Sequence, residues 1–371
     1  MTTSVPTTPG PRRIPSLDGL RAISIVLVMV SHLIGTDHFP VRDGGALAPF
    51  GDLGYLGVRI FFVISGFLIT TLLVREHEKT GTISLREFYV RRAFRIFPAA
   101  YVFVGVMLLL GALGVFQFRD RDALHALTYT MNYHYLRSWE LGHLWSLSVE
   151  EQYYLLWPAL VLLVGPPRVA KLALAMIVLA PVMRVLAWFL MPYRDDVMAE
   201  AYPCVMDAIA AGSLLAVLQP RLAGLRAYDR FVRSRAFWLV PVVMLAMNRQ
   251  LRVSFDVTLG IPLQIAAIAV IVDRVVRVDR GHVFRLLNWA PMVWLGTLSY
   301  SLYLWQEPFL NHKAHALVNV FPLNVALALA CAVASHYLVE RPFFRFRDAW
   351  ASRRARLAPA PAAAVVPGPR G

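Results

Sequence analysis

A chain of 371 residues that is 58% hydrophobic and only 16% charged is too apolar for an ordinary soluble domain. Runs approaching the ~20 apolar residues that cross a bilayer recur along it, which argues against a β-barrel of short alternating strands and for an all-α polytopic membrane helix bundle. The net charge of +14 sits in short loops between apolar runs, so orientation in a lipid bilayer explains it better than binding to nucleic acid.

Residues 1–17 are polar and Pro-rich and read as a cytoplasmic N-terminal segment with no cleavable signal peptide. Apolar spans follow near 18–36, 54–74, 96–115, 149–165, 172–191, 202–218, 236–248, 256–273, 292–310 and 321–339. A further stretch, 123–137, is short and carries His125, Asn132 and His134. If it stays on one side of the membrane, most Lys and Arg fall on one face, as the positive-inside rule requires, with both termini cytoplasmic. If it crosses, that pattern breaks. The expectation is therefore about ten transmembrane helices plus one short re-entrant or interfacial segment, in the cell membrane. The 236–248 span is the weakest, helped by a snorkelling Arg235, and Arg249 and Arg252 are local exceptions to the charge rule. Residues 18–347 read as one membrane domain without internal repeats, and 348–371 as a cytoplasmic tail whose end, LAPAPAAAVVPGPRG, has the composition of disorder. Cys204 and Cys331 lie in or beside apolar runs, so no disulfide framework is expected, nor a metal site or a permanently bound cofactor.

Ionisable groups inside spans are costly and face a protein interior or a wet cavity. In RAISIVLVMVSH, Arg21 and His32 are eleven residues apart, about three helical turns or roughly 16 Å, and return to nearly the same azimuth. A neutral imidazole can take a proton from a hydroxyl. Asp18 can pair with Arg21 or cap the first turn. In FYVRRAFRIFPAAY, Arg92 and Arg95 share a helix face, and two guanidinium forks at a membrane border suit phosphates; ordinary membrane anchoring is the plainer reading. In HLWSLSVEEQYYLLWP, Ser148 and Glu151 have capping-box spacing, leaving Glu150 to project elsewhere, at about the depth of His32, with Tyr154 one turn below. Glu150 would orient or charge-stabilise the imidazole. His143, Arg184, Asp207 and Tyr300 are further candidates for a shared polar cavity, although each, taken singly, is as well explained by a buried pair joining two helices. Gly57, Ser65 and Gly66 permit close helix packing in the second span.

Together these segments resemble the acyltransferase-3 family of integral membrane O-acyltransferases. The resemblance runs from about Ser16 to Arg347, through SLDGLRAISIVLVMVSH, GYLGVRIFFVISGFLIT, the Arg92/Arg95 pair, HLWSLSVEEQYYLLWP, MDAIAAG, LSYSLYLW and ERPF, in order and spacing. It implies an acyl-CoA donor, with acetyl the default acyl group, bound from the cytoplasm. The acceptor would be a hydroxyl of a glycan or of a glycosylated natural product such as a macrolide. His32 would be the catalytic histidine, Glu150 a second essential polar group, and Arg21 the partner of His32 in the motif. Arg21, Arg92 and Arg95 would form the donor-binding set, with Arg92 and Arg95 holding the CoA phosphates. Gln306 departs from the family, which often has histidine after LYLW; an amide is no acid or base, so no catalysis is expected of it. No SGNH esterase-like domain follows the last span, in contrast to some relatives. Direct transfer and an acyl-His32 intermediate stay open. The alternative is a transporter with a relay of His32, Glu150, Arg184 and Asp207.

Overall fold

The computed structural model describes residues 14–42, 45, 52–249 and 252–357. Its principal helices are α1 (Pro15–Leu33), α2 (Leu53–Thr80), α3 (Leu85–Ala112), α4 (Leu144–Val164), α5 (Val169–Leu190), α6 (Tyr202–Gly224), α7 (Leu239–Asn248), α8 (Ile261–Arg277), α9 (Ala290–Gln306), α10 (Leu323–Ser335) and α11 (Arg341–Leu357). No strand occurs among the described residues, and the all-α bundle is the expected one.

Among those residues, seven helical segments are long and apolar enough to cross a bilayer. An eighth is added if Arg226–Arg233 and Arg235–Asn248, bent by 68°, are one broken span. The expected ten is thus met only roughly. The break falls in the span that was shortest in the sequence. α9 has 17 residues, and the Glu-Glu-Gln run at 150–152 lowers the mean hydropathy of α4. The 123–137 stretch forms only the helix Asp122–Leu127 and the turn Met131–Tyr133. Its polar groups are satisfied locally: His134 pairs with the buried Asp122 at 2.9 Å, His125 bonds Thr130 at 2.8 Å, and Asn132 accepts from Gln152 of α4 at 2.9 Å. Burial, and then the neighbouring His134, lower the pKa of His125.

Two helices run past their apolar cores because polar caps and charged faces extend them. α2 starts at Asp52, whose carboxylate accepts from the Gly54 and Tyr55 amides at 2.8 and 3.1 Å. α3 starts at Ser84, whose hydroxyl accepts from the Glu87 amide. The capping box expected at Ser148 and Glu151 is not formed. α4 already begins at Leu144, so Ser148 sits in its second turn, donating to the Leu144 carbonyl and accepting from the Met131 amide. α11 runs to Leu357, past the boundary expected at 348; residues 358–371 and 1–13 lie outside the described ones.

The core is contiguous, with Ile25, Leu56, Ile64, Phe67, Phe103 and Trp157 fully enclosed. The outward faces are equally apolar: Leu163 is 79% and Phe189 76% exposed, a surface suited to lipid rather than water. α2 lies against α6 at Gly66 and Gly212. A Cβ on Gly66 would overlap the Ile209 carbonyl, and one on Gly212 the Val63 carbonyl, so backbone contact there requires both glycines. α1 is wedged between α2 and α9, so both of its ends face the interior of the bundle.

Candidate active site

His32 lies in the last turn of α1, and its Nδ1 is 2.7 Å from Oε1 of the fully buried Gln306 at the end of α9. With the amide oxygen accepting, Nδ1 carries the hydrogen and Nε2 is left as a base. The ring edge meets Trp139 at 5.6 Å. Trp139 donates from its indole nitrogen to the Glu307 carbonyl at 3.0 Å.

The start of α4 is fastened to the end of α9 on the same side. The Glu307 carboxylate accepts from the His143 amide at 2.7 Å and also pairs with the His143 Nδ1. The Tyr303 hydroxyl donates to the His143 carbonyl at 2.9 Å and is 2.5 Å from the Ser146 hydroxyl. These contacts hold Gln306, and with it the imidazole. Replacing Gln306 by leucine is expected to lower kcat by about 10–100-fold by freeing the ring, while the donor's KM stays nearly unchanged. Steady-state kinetics on membranes checks this, and an unaltered kcat would remove Gln306 from the orienting role.

His32 faces a cavity of about 620 Å³, whose wall includes Ser31, Asp52, Tyr55, Trp139, His143 and Glu307. Further round the wall, Arg137 donates to Glu200 at 2.6 Å. Burial works against the Arg137 charge, but the hydrogen bond and charge of Glu200 outweigh it and raise its pKa. Burial, with Glu200 adding, pushes the Tyr135 phenol up to about 12, so it lines the cavity as a neutral hydroxyl. The chamber combines aromatic faces, hydroxyls and fixed charges, a surface suited to a hydroxylated ligand.

At the other end of α1, Arg21 lies 3.5 Å from Asp18. Arg92 stacks over the Tyr154 ring at 3.5 Å, and its Nε is 4.0 Å from Glu151, too far for a hydrogen bond. The buried Arg92 Nε and Glu151 Oε1 therefore both lack hydrogen-bond partners among the described residues. Arg95 interacts electrostatically with Arg21 and Arg92. The sequence candidates Arg21, Arg92, Arg95, Asp18 and Tyr154 thus gather at one end. Guanidinium groups with incompletely satisfied donors can bind phosphate.

The remaining candidates fall elsewhere. Glu150 does not hold His32: its carboxylate accepts from Ser65 of α2 at 2.6 Å, and Gln306 occupies the role assigned to it. Because α4 begins earlier than its apolar run, Glu150 lies two turns inside the helix rather than at its mouth. Tyr300 donates to the Ile96 carbonyl at 2.8 Å and ties α9 to α3. Arg184 is enclosed, donating to the Val257 carbonyl (2.9 Å), the Cys204 carbonyl (2.6 Å) and Asp207 (2.9 Å). That is a helix-joining pair, and neither member lines the His32 cavity. The four residues of the transporter relay therefore fall into three separate groups: His32 with Gln306, Glu150 with Ser65, and Arg184 with Asp207. Of the sequence candidates, His32 and His143 reach the chamber; Glu307, Trp139 and Glu200 also line it, and Gln306, set aside as chemically inert, stands behind the imidazole.

A helix with an imidazole in a polar chamber at one end and Arg21 towards the other thus lies within an all-α bundle of membrane-spanning helices. The chain belongs to the acyltransferase-3 family: the family model described as "Acyltransferase domain" matches residues 14–341. It is similar to "Peptidoglycan O-acetyltransferase OatA" of Listeria monocytogenes, 27% identical over 367 residues, which cover 90% of this chain and 55% of that protein. "Putative peptidoglycan O-acetyltransferase YrhL" of Bacillus subtilis is 30% identical over 361 residues, covering 89% and 55%. "Putative O-acetyltransferase SACOL0978" of Staphylococcus aureus is 26% identical over 363 residues, covering 90% and 57%. The chain thus spans little more than half the length of these relatives. No solved structure matches it.

Proposed function

We propose that the protein transfers an acyl group, acetyl by default, from acyl-CoA to a hydroxyl of a glycan. The observation that carries this reading is the oriented His32 imidazole in the chamber at one end of α1, with Arg21 of the arginine cluster towards the other end of the same helix. Arg92 and Arg95 bind the donor's phosphates, and the pantetheine arm leads the thioester inward. His32 Nε2 takes the proton of the acceptor hydroxyl as its oxygen attacks the thioester carbon, and the tetrahedral intermediate collapses with release of CoA thiol. Gln306 holds the imidazole. The names of two relatives favour a cell-wall glycan over a macrolide as acceptor. The charge asymmetry of the loops supports an arrangement in the cell membrane with both termini, and the arginine cluster, on the cytoplasmic side.

The test uses membranes supplied with labelled acetyl-CoA and isolated cell-wall glycan. Wild-type protein is expected to label the glycan. Arg92→Ala combined with Arg95→Ala is expected to raise the KM for acetyl-CoA by at least about tenfold with a smaller change in kcat. An unchanged KM would count against phosphate binding; labelling of a small glycoside but not of glycan would redirect the acceptor.

A further inference from the structure

The chamber wall carries two permanent cations, Arg137 and Lys313. Arg137 is closed by Glu200 at 2.6 Å. Lys313 is exposed and makes no ion pair among the described residues; its ammonium stands 5.6 Å from the centre of the Trp139 ring, a loose approach. The same indole meets the His32 ring at 5.6 Å and is fixed by donation to the Glu307 carbonyl at 3.0 Å. Ammonium and imidazole are thus neighbours of one immobilised ring. The backbone under Lys313 is fastened as well. Its amide donates to the side chain of the buried Asn311 at 2.9 Å, and Asn311 donates to Glu140, the residue after Trp139, at 3.3 Å. Three carboxylates of the wall are engaged elsewhere: Glu307 with His143, Glu200 with Arg137, and Asp52 with two amides of α2 and the Ser31 hydroxyl. The fourth, Asp196, lies one turn before Glu200 on the helix Arg194–Glu200, on the Arg137 side of the wall.

We infer that Lys313 receives an anionic substituent of the acceptor, which makes the acceptor an acidic glycan; this rests on the glycan reading above. An ammonium is a compact point charge with three donors, so it attracts an anion without demanding one geometry. A sugar ring is comparable in width with an indole. A hydroxyl at the His32 imidazole and an anion at Lys313 therefore fit on one sugar or on two adjacent ones, to either side of Trp139. The contact sets which sugar presents its hydroxyl to the base, and a neutral glycan forgoes it. A carboxylate and a phosphate ester meet the ammonium equally well, and the acceptors chosen below separate the two.

Transfer from labelled acetyl-CoA by the full-length protein in lipid nanodiscs tests this with three oligosaccharides of one backbone: a hexuronic-acid form, its carboxyl-reduced form, and the reduced form bearing a phosphate monoester. Wild type is expected to show a KM for a charged acceptor about fivefold below that for the neutral one, and the anion with the larger gain names the source. Lys313→Ala is expected to remove the difference by raising the KM for the charged acceptor. Lys313→Arg is expected to keep the preference, and Lys313→Glu to invert it. Wild-type protein that treats all three alike, or a Lys313→Ala protein that retains the preference, overturns the assignment while leaving the glycan reading intact. Wild-type protein that acetylates none of them overturns the glycan reading and this inference with it.

Discussion

Replacing His32 by alanine is expected to lower acyl transfer by about 10²–10⁴-fold, the usual worth of a positioned general base, with CoA binding unaltered. The separation follows from the geometry. His32 ends α1 in the chamber, whereas Arg21 lies about three turns away along the same helix, Arg92 and Arg95 lie on α3, and none of these three lines the chamber. His32→Gln offers a sharper comparison, since it keeps a polar side chain of similar reach beside Gln306 without a base. Transfer from labelled acetyl-CoA, measured at matched expression, is the check. Activity at the wild-type level in both variants would remove the imidazole from the chemistry.

The largest expected effect on stability belongs to Arg184. Its guanidinium is almost wholly enclosed and satisfies Asp207 together with two backbone carbonyls. One of those carbonyls, Val257, lies in the π-helical turn Asp256–Gly260, whose looser hydrogen bonding turns it towards the arginine. Arg184→Ala leaves Asp207 buried without its cation and is expected to cost about 3–5 kcal/mol. The readout is the midpoint of thermal unfolding in detergent. Arg184→Met with Asp207→Leu is expected to recover much of that loss, because exchanging both charges for packed apolar groups removes the desolvation penalty along with the attraction. The double variant also separates the enzyme from the transporter alternative: a structural pair allows acyl transfer to persist, and a relay does not.

The fold was legible wherever apolar length and loop charge agree. Nine of the ten expected spans correspond to a principal helix of similar position, and the tenth, 236–248, is α7, attached to its neighbour through a sharp bend. What misled was the assumption that a helix starts where its apolar run starts. α4 begins at Leu144 on a polar segment anchored by Glu307, which moved Glu150 inward and dissolved the capping box at Ser148. The site was legible in its charged members, because a cation or an imidazole in a span demands explanation. Gln306 was not, since an uncharged amide draws attention only once its partner is known. Glu307 was missed as well, because its hold on His143 spans 164 positions of the chain, a contact that no local pattern encodes.

α1 also acts as a gauge. On the proposed acyl-CoA reading, its helical run from Arg21 to His32 would fix the interval between the donor's phosphates and its acyl carbon. Only a carrier with a flexible arm spanning that interval can be gripped and react at once. Acetyl adenylate, whose acyl carbon sits directly on its phosphate, is therefore expected to occupy the cationic end and remain unreactive, whatever its intrinsic potency as an acylating agent.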